Sequence, residues 1–269
     1  MPSIEANGQT LYYEVHGEGE PLLCVMGLAA NTLAWALQVN PFAERHKTVI
    51  FDNRDVGQSS IVDQPYEIRD MAQDTLALAD GLDLDSFHLL GYSMGGAIAQ
   101  EVALAAPERI RSLTLAVTYA GTGNWGSKFA ELWGARRQRT SREEHIDELM
   151  LMTLSEAYFK NEAAVEYMRK MMLNDPNPQP PEAFARQLEA SRRHDTKDRL
   201  GSLTMPVHVI GGEYDILVPI WKQREIAALI PHAKFTMIEG SAHGANVERA
   251  SEFNALVLDF IAEHTAAPV

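Results

Sequence analysis

The segment Gly91-Tyr92-Ser93-Met94-Gly95 constrains this chain more than any other. The apolar run before it, Phe87-His88-Leu89-Leu90, reads as a buried strand, and the alanine-rich run from Met94 through Ala105 reads as a helix. Together they predict a strand that turns sharply into a helix with a serine at the apex. Such a turn forces the serine into strained backbone angles, and side chains at the flanking glycine positions would collide with strand and helix. This is the arrangement of a nucleophile elbow. Five residues of this kind recur by chance in ordinary loops. The strand–turn–helix context gives them weight, and it requires an acid and then a histidine further along the chain.

Both follow in that order. The apolar strand Val207-His208-Val209-Ile210 ends in Gly211-Gly212-Glu213-Tyr214-Asp215, and Val218-Pro219 can start a new helix. The next strand, Phe235-Thr236-Met237-Ile238, ends in Glu239-Gly240-Ser241-Ala242-His243-Gly244. Asp215 and His243 thus each lie just past the carboxyl end of a buried strand, the edge of a parallel sheet where sites are built. Glu213, two residues from Asp215, is the alternative acid. Asp215 could instead cap the helix after Pro219, and His243 could be a solvated loop residue, as most of the nine histidines should be.

These strings, with Gly96 after the serine turn, resemble those of the α/β-hydrolase fold superfamily over nearly the whole chain. Phe51-Asp52-Asn53-Arg54-Asp55-Val56-Gly57-Gln58-Ser59 is similar to the D-x-R-G-x-G-x-S segment common in that family. Asp55, where glycine is usual, looks like the antibiotic methyl-esterase branch, and Met94-Gly95-Gly96 also resembles enol-lactonases. The resemblance implies acyl transfer. Ser93 would be the nucleophile, His243 its base, and Asp215 the group that orients the imidazole. The oxyanion hole would be the backbone N–H groups of Met94 and of Leu28, in the loop after Leu22-Leu23-Cys24-Val25-Met26-Gly27. Met26 stands where the family usually has a histidine. The donor is a backbone amide, so the hole can survive that change, but a loop buttress is lost.

Asn7-Gly8 between Ile4 and Val15 predicts a hairpin. Strands at Leu22–Met26, Thr48–Phe51 and Ser112–Val117, with a helix at Ile68–Leu82, continue an alternating pattern. The expected fold is α/β: a mostly parallel eight-stranded sheet with helices on both faces. Residues 123–203 carry no convincing strand and are too long for a loop. They read as helices around Trp125–Arg139, Arg142–Leu154, Glu162–Leu173 and Pro181–His194, with a proline-rich hinge at 174–181. The expected organisation is a core of residues 1–122 and 204–269 with a helical lid at 123–203. Met150, Met152, Met168, Met171 and Met172 fall in this insertion, either as an adaptable acyl-binding wall or as lid packing. Met26, Trp125, Trp133, Met150 and Met171 are the substrate-pocket candidates, with Tyr119 and Phe129 comparable. Arg136-Arg137-Gln138-Arg139 reads as a solvated helix face and not an anion site.

Composition narrows the alternatives. A net charge of −14 argues against nucleic-acid or anionic-membrane partners. No H-E-x-x-H occurs and only one cysteine, Cys24, is present, so neither zinc-ligand spacing nor an internal disulfide is expected. Cys24 lies in an apolar strand and reads as a small buried hydrophobe. No apolar stretch reaches membrane-spanning length, and the first residues lack a signal-like core. The expectation is a cytoplasmic monomer or homodimer without metal or organic cofactor, cleaving a small to medium, largely apolar carboxylic ester. A lactonase or carbon–carbon bond hydrolase would use the same three residues. A perhydrolase and a non-catalytic ligand receptor are the remaining alternatives.

Overall fold

The computed structural model describes residues 2–265. The chain opens with β1 (Ser3–Ala6) and β2 (Gln9–His16), joined by Asn7 and Gly8 at φ 51° and 73°, the left-handed pair that a tight hairpin needs. β3 (Pro21–Val25), α1 (Val39–Ala43), β4 (Lys47–Phe51), α2 (Ile68–Gly81), β5 (Phe87–Tyr92), α3 (Met94–Ala105) and β6 (Ile110–Ala116) follow. Five helices intervene before the next strand: α4 (Gly123–Arg137), α5 (Arg142–Thr153), α6 (Glu156–Phe159), α7 (Glu162–Leu173) and α8 (Pro181–Arg193). The chain closes with β7 (Val207–Gly212), α9 (Ile220–Leu229), β8 (Lys234–Ile238), α10 (Ala245–Glu248) and α11 (Ala250–Glu263).

The eight strands order as β1-β2-β4-β3-β5-β6-β7-β8. β1 and β2 are antiparallel, β2 meets β4 antiparallel, and every later pairing is parallel. Alternation along the strands sends side chains to two cores. Leu23, Val25, Val49 and Leu89 face the layer of α2, α3 and α9, while Leu22, Cys24, Ile50 and Leu90 face Trp35, Phe42 and the Phe253, Val257 and Ile261 stripe of α11. α2 forms because Ile68, Met71, Ala72, Leu78 and Ala79 recur at helical spacing and because Glu67 and Asp70 make a reciprocal capping box. α3 is buried along nearly its whole length, which fixes its first residue, and hence Ser93, against the sheet.

The helical insertion packs through Trp133, Phe184 and Leu188 and through Ile146, Met150 and Leu154. Its two ends are tied together: Gly121 and Asp195 form an isolated bridge, and Thr122 Oγ1 donates to the Arg192 carbonyl at 3.0 Å. The strandless stretch ending at Leu203 includes a 3-10 turn, Leu200–Ser202, whose Leu200 packs into the main core. No helix among the described residues is long and apolar enough to cross a membrane.

Candidate active site

The turn between β5 and α3 places Ser93 at φ 56°, ψ −122°, a strained conformation for a residue with a Cβ. The surroundings hold it there. Its N–H donates to the Ala116 carbonyl at 2.9 Å, and Thr118 Oγ1 donates to its carbonyl at 2.6 Å. A Cβ at Gly91 would lie 2.4 Å from the Gly95 carbonyl oxygen, and one at Gly95 would lie 2.0 Å from that of Val25. Both glycines are therefore required by close backbone approach.

His243, on the loop after β8, brings Nε2 to 3.0 Å from Ser93 Oγ and Nδ1 to 2.8 Å from Asp215 Oδ2. Tyr92 donates its hydroxyl to the His243 carbonyl and meets the imidazole edge-on. Asp215 is held from three further sides. Its Oδ1 accepts from the N–H groups of Leu217 and Val218 at 3.0 and 2.8 Å, and Gln223 Nε2 donates to Oδ2 at 3.0 Å. Glu213 does not reach the imidazole; it accepts from the Gly240 N–H instead. With Nδ1–H directed at Asp215, Nε2 carries the lone pair that can take the Ser93 proton.

Gly27 lies against the serine, since a Cβ there would sit 2.8 Å from Ser93 Cβ. This brings the following residue, Leu28, to the same corner as Met94 at the start of α3. Neither the Leu28 nor the Met94 N–H has a protein acceptor among the described residues. Asn53 Nδ2 donates to the Met26 carbonyl at 2.9 Å, and Gln187 Oε1 on α8 accepts from Ala29 N–H at 3.1 Å. Ala29 has φ 63°, so the loop needs such props. Asp52 braces the same region by accepting from the N–H groups of Thr32 and Gln58. Asp55, fully buried at φ 70°, makes a two-pronged ion pair with Arg186 of α8 at 2.8 and 2.9 Å. Sequence reasoning missed Asn53, Gln187 and Arg186; the only signal was an aspartate where the family has glycine.

A cavity of about 560 Å³ opens over Ser93 and His243 between the core and the insertion. Met26, Trp125, Trp133, Met150 and Met171 all line it, as do Tyr119, Phe129, Met168 and Met172. Met152 instead packs near Trp133 and Phe184. Trp125 stacks on Phe129, which touches Trp133, so one wall is aromatic. The expectation of a solvated Arg136–Arg139 face needs one correction. Arg137 is 7 % exposed and lines the cavity, because α4 turns this position inward while Arg136, Gln138 and Arg139 stay outside. Cys24 is fully buried, and burial pushes its thiol far above the ordinary range. His88 and His208 bond to Ser112 and Thr236 within the sheet. No cluster of potential metal ligands occurs among the described residues.

Residues 20–250 match the family model described as alpha/beta hydrolase fold, and the chain belongs to that family. RutD of Azorhizobium caulinodans, named a carbamate hydrolase, is 28% identical over 265 residues, covering 98% of this chain and 99% of its own. The 3-oxoadipate enol-lactonase 2 of Acinetobacter baylyi is 28% identical over 260 residues, with 95% and 94% covered. The crystal structure of the enol-lactonase from Burkholderia xenovorans LB400 superposes with a TM-score of 0.88 over 97% of this chain and 100% of its own; at 24% identity it speaks for the fold alone. The protein is a hydrolase of this fold.

Proposed function

We propose that the protein cleaves small to medium, largely apolar carboxylic esters through an acyl-enzyme on Ser93. The observation that carries this reading is the continuous hydrogen-bonded line Ser93–His243–Asp215, beside two unpartnered amides and under an apolar cavity. Ser93 Oγ attacks the carbonyl carbon as its proton passes to His243 Nε2, and the carbonyl oxygen becomes an oxyanion facing the Leu28 and Met94 N–H groups. Collapse breaks the bond to the alkoxide, which leaves with the proton from His243. Water then attacks the acyl-serine by the same route, releasing the acid and restoring Ser93. Helices α4 to α8 act as the lid that excludes bulk water and shapes the acyl site.

A second reading takes a lactone or carbamate carbonyl as the electrophile, supported by the names of the relatives above. The same atoms serve it, so only substrate choice separates the two. The test is a turnover series over p-nitrophenyl esters of graded acyl length, simple lactones and aryl carbamates. We expect ester turnover that falls about 10⁴-fold or more in Ser93→Ala. Wild-type-like turnover by that variant sinks the reading, and tight binding without turnover by the wild type identifies a receptor instead.

A further inference from the structure

Two arginines are buried among the described residues, Arg54 and Arg137. Arg54 is matched by Asp74, with both hydrogen bonds at 2.6 Å. Arg137 forms no ion pair among the described residues. Its Nε has no partner, and its one hydrogen bond is a long 3.5 Å contact to the Thr140 carbonyl. Glu148 and Glu182 are near enough to act on it by charge, but neither bonds to it: Glu148 gives one oxygen to Arg136 and leaves the other buried without a partner, and Glu182 is exposed. A buried guanidinium without an anion is costly, and this chain has 37 acidic residues from which a partner could have come.

The surroundings repeat the imbalance. Arg142, half-buried on the same cavity at the start of the next helix, donates only to the carbonyls of Met172 and Asp175. The buried Nδ1 of His145 and Nε1 of Trp133, both on cavity-lining residues, have no partner either. Asp175 is the acid on that wall, and its oxygens accept from Asn31 and Asn177. Elsewhere on the cavity Arg192 is matched by Glu189, so unmatched arginines are confined to the α4–α5 end.

We propose that Arg137, together with Arg142, is a carboxylate-binding subsite, so that the substrate is an ester carrying a free carboxylate beyond an apolar spacer. The bidentate fork of a guanidinium fits a carboxylate, and His145 and Trp133 offer further donors. Trp125 and Arg137 both line the cavity and lie about 18 Å apart along α4 at about 1.5 Å per residue, so the spacer runs past the aromatic wall. The proposal deepens the ester-hydrolase reading and rests on it only for what the carboxylate is attached to.

The test compares kcat/KM for p-nitrophenyl monoesters of dicarboxylic acids, from succinate to sebacate, with that for alkanoate esters of matched length. A parallel arm uses acetate esters of ω-hydroxy acids against those of plain alkanols, which tells an acyl-side from an alcohol-side carboxylate. We expect the anionic member to be preferred by about tenfold or more at one chain length in one arm, and Arg137→Gln to lower that ratio at least about fivefold. No preference at any length in either arm overturns the proposal, as does a preference that Arg137→Gln leaves intact. Arg142→Gln gives a second reading of the ratio where Arg137→Gln does not fold. Calorimetric titration of Ser93→Ala with adipate, suberate and sebacate separates the two layers. Dicarboxylate binding without ester turnover keeps the subsite and removes the esterase, whereas neutral-ester turnover without dicarboxylate binding does the reverse.

Discussion

Gln187 offers the sharpest probe of how the insertion supports the site. It is fully buried on α8 and makes three hydrogen bonds: from Ala29 N–H at 3.1 Å, from Gln179 Nε2 at 2.9 Å, and to the Arg54 carbonyl at 2.8 Å. Gln187→Leu keeps the volume and removes all three. Gln179 retains its bond to the Asp55 carbonyl, so the groups left without a partner are Ala29 N–H and the Arg54 carbonyl. Each buried orphan costs about 1–3 kcal/mol, and Ala29 is half-exposed, so the variant loses about 2–4 kcal/mol. That is a fall in Tm of about 5–10 °C for a domain of this size. Deleting an oxyanion donor outright costs about 10²–10³ in kcat. On the proposed oxyanion role of the Leu28 amide, freeing its loop forfeits part of that, so kcat drops about tenfold with KM little changed. Thermal melts and p-nitrophenyl ester kinetics read both. Gln187→Glu keeps the acceptor for Ala29 and loses the donor to Arg54, so it recovers kcat more than it recovers Tm. A lowered Tm with wild-type kcat in Gln187→Leu refutes the reasoning, because Gln187 then only holds the insertion down.

Asp55→Gly tests the same junction from the core side. It relieves the positive φ but leaves Arg186 and the Tyr66 hydroxyl without their acceptor, for a net loss of about 2 kcal/mol in urea unfolding; a gain in stability would show that the strain outweighs the pair. Burial pushes His194 and His208 down to about 4 from an ordinary 6.5, so the unfolded chain binds protons that the folded chain refuses between those values. Stability is therefore complete above about pH 6.5 and declines as pH falls through this window, by up to about 3 kcal/mol per histidine. His194→Gln should show a shallower decline between pH 7 and 5, and an unchanged slope would refute the assignment.

What was legible in the sequence was local. The Asn7-Gly8 turn, the span of α3 and the glycines around Ser93 follow from backbone sterics acting over a few residues, and the structure reproduces them closely. The order of Ser93, Asp215 and His243 is readable because each follows its own apolar strand, and the structure brings the three into hydrogen-bond contact. No expectation covered α11, although Phe253, Val257 and Ile261 recur at helical spacing. Arg137 was illegible for a different reason. Among four polar neighbours, only the docking of α4 against α8 decides which one turns inward, and that is a property of two helices. Gln187 is polar in an amphipathic helix, and nothing in its neighbourhood along the chain marks it as reaching the loop at Ala29.

Met26 connects these observations. The histidine usual in the family at this position often buttresses the loop that is proposed here to form the oxyanion hole. Here the side chain at that position is apolar and lines the cavity, and the loop's polar support comes from elsewhere: Asn53 holds the Met26 carbonyl and Gln187 holds the Ala29 N–H. The first belongs to the core, the second to the insertion. Asp55 then fastens that same insertion helix through Arg186, the residue immediately before Gln187. The two departures from the family pattern, methionine for histidine and aspartate for glycine, are thereby linked. With one prop on the insertion, the geometry at Leu28 depends on how α8 is seated, and a buried ion pair helps to seat it. On the proposed function the insertion both shapes the substrate cavity and aligns the Leu28 donor, so a loosened α8 should lower kcat as well as selectivity.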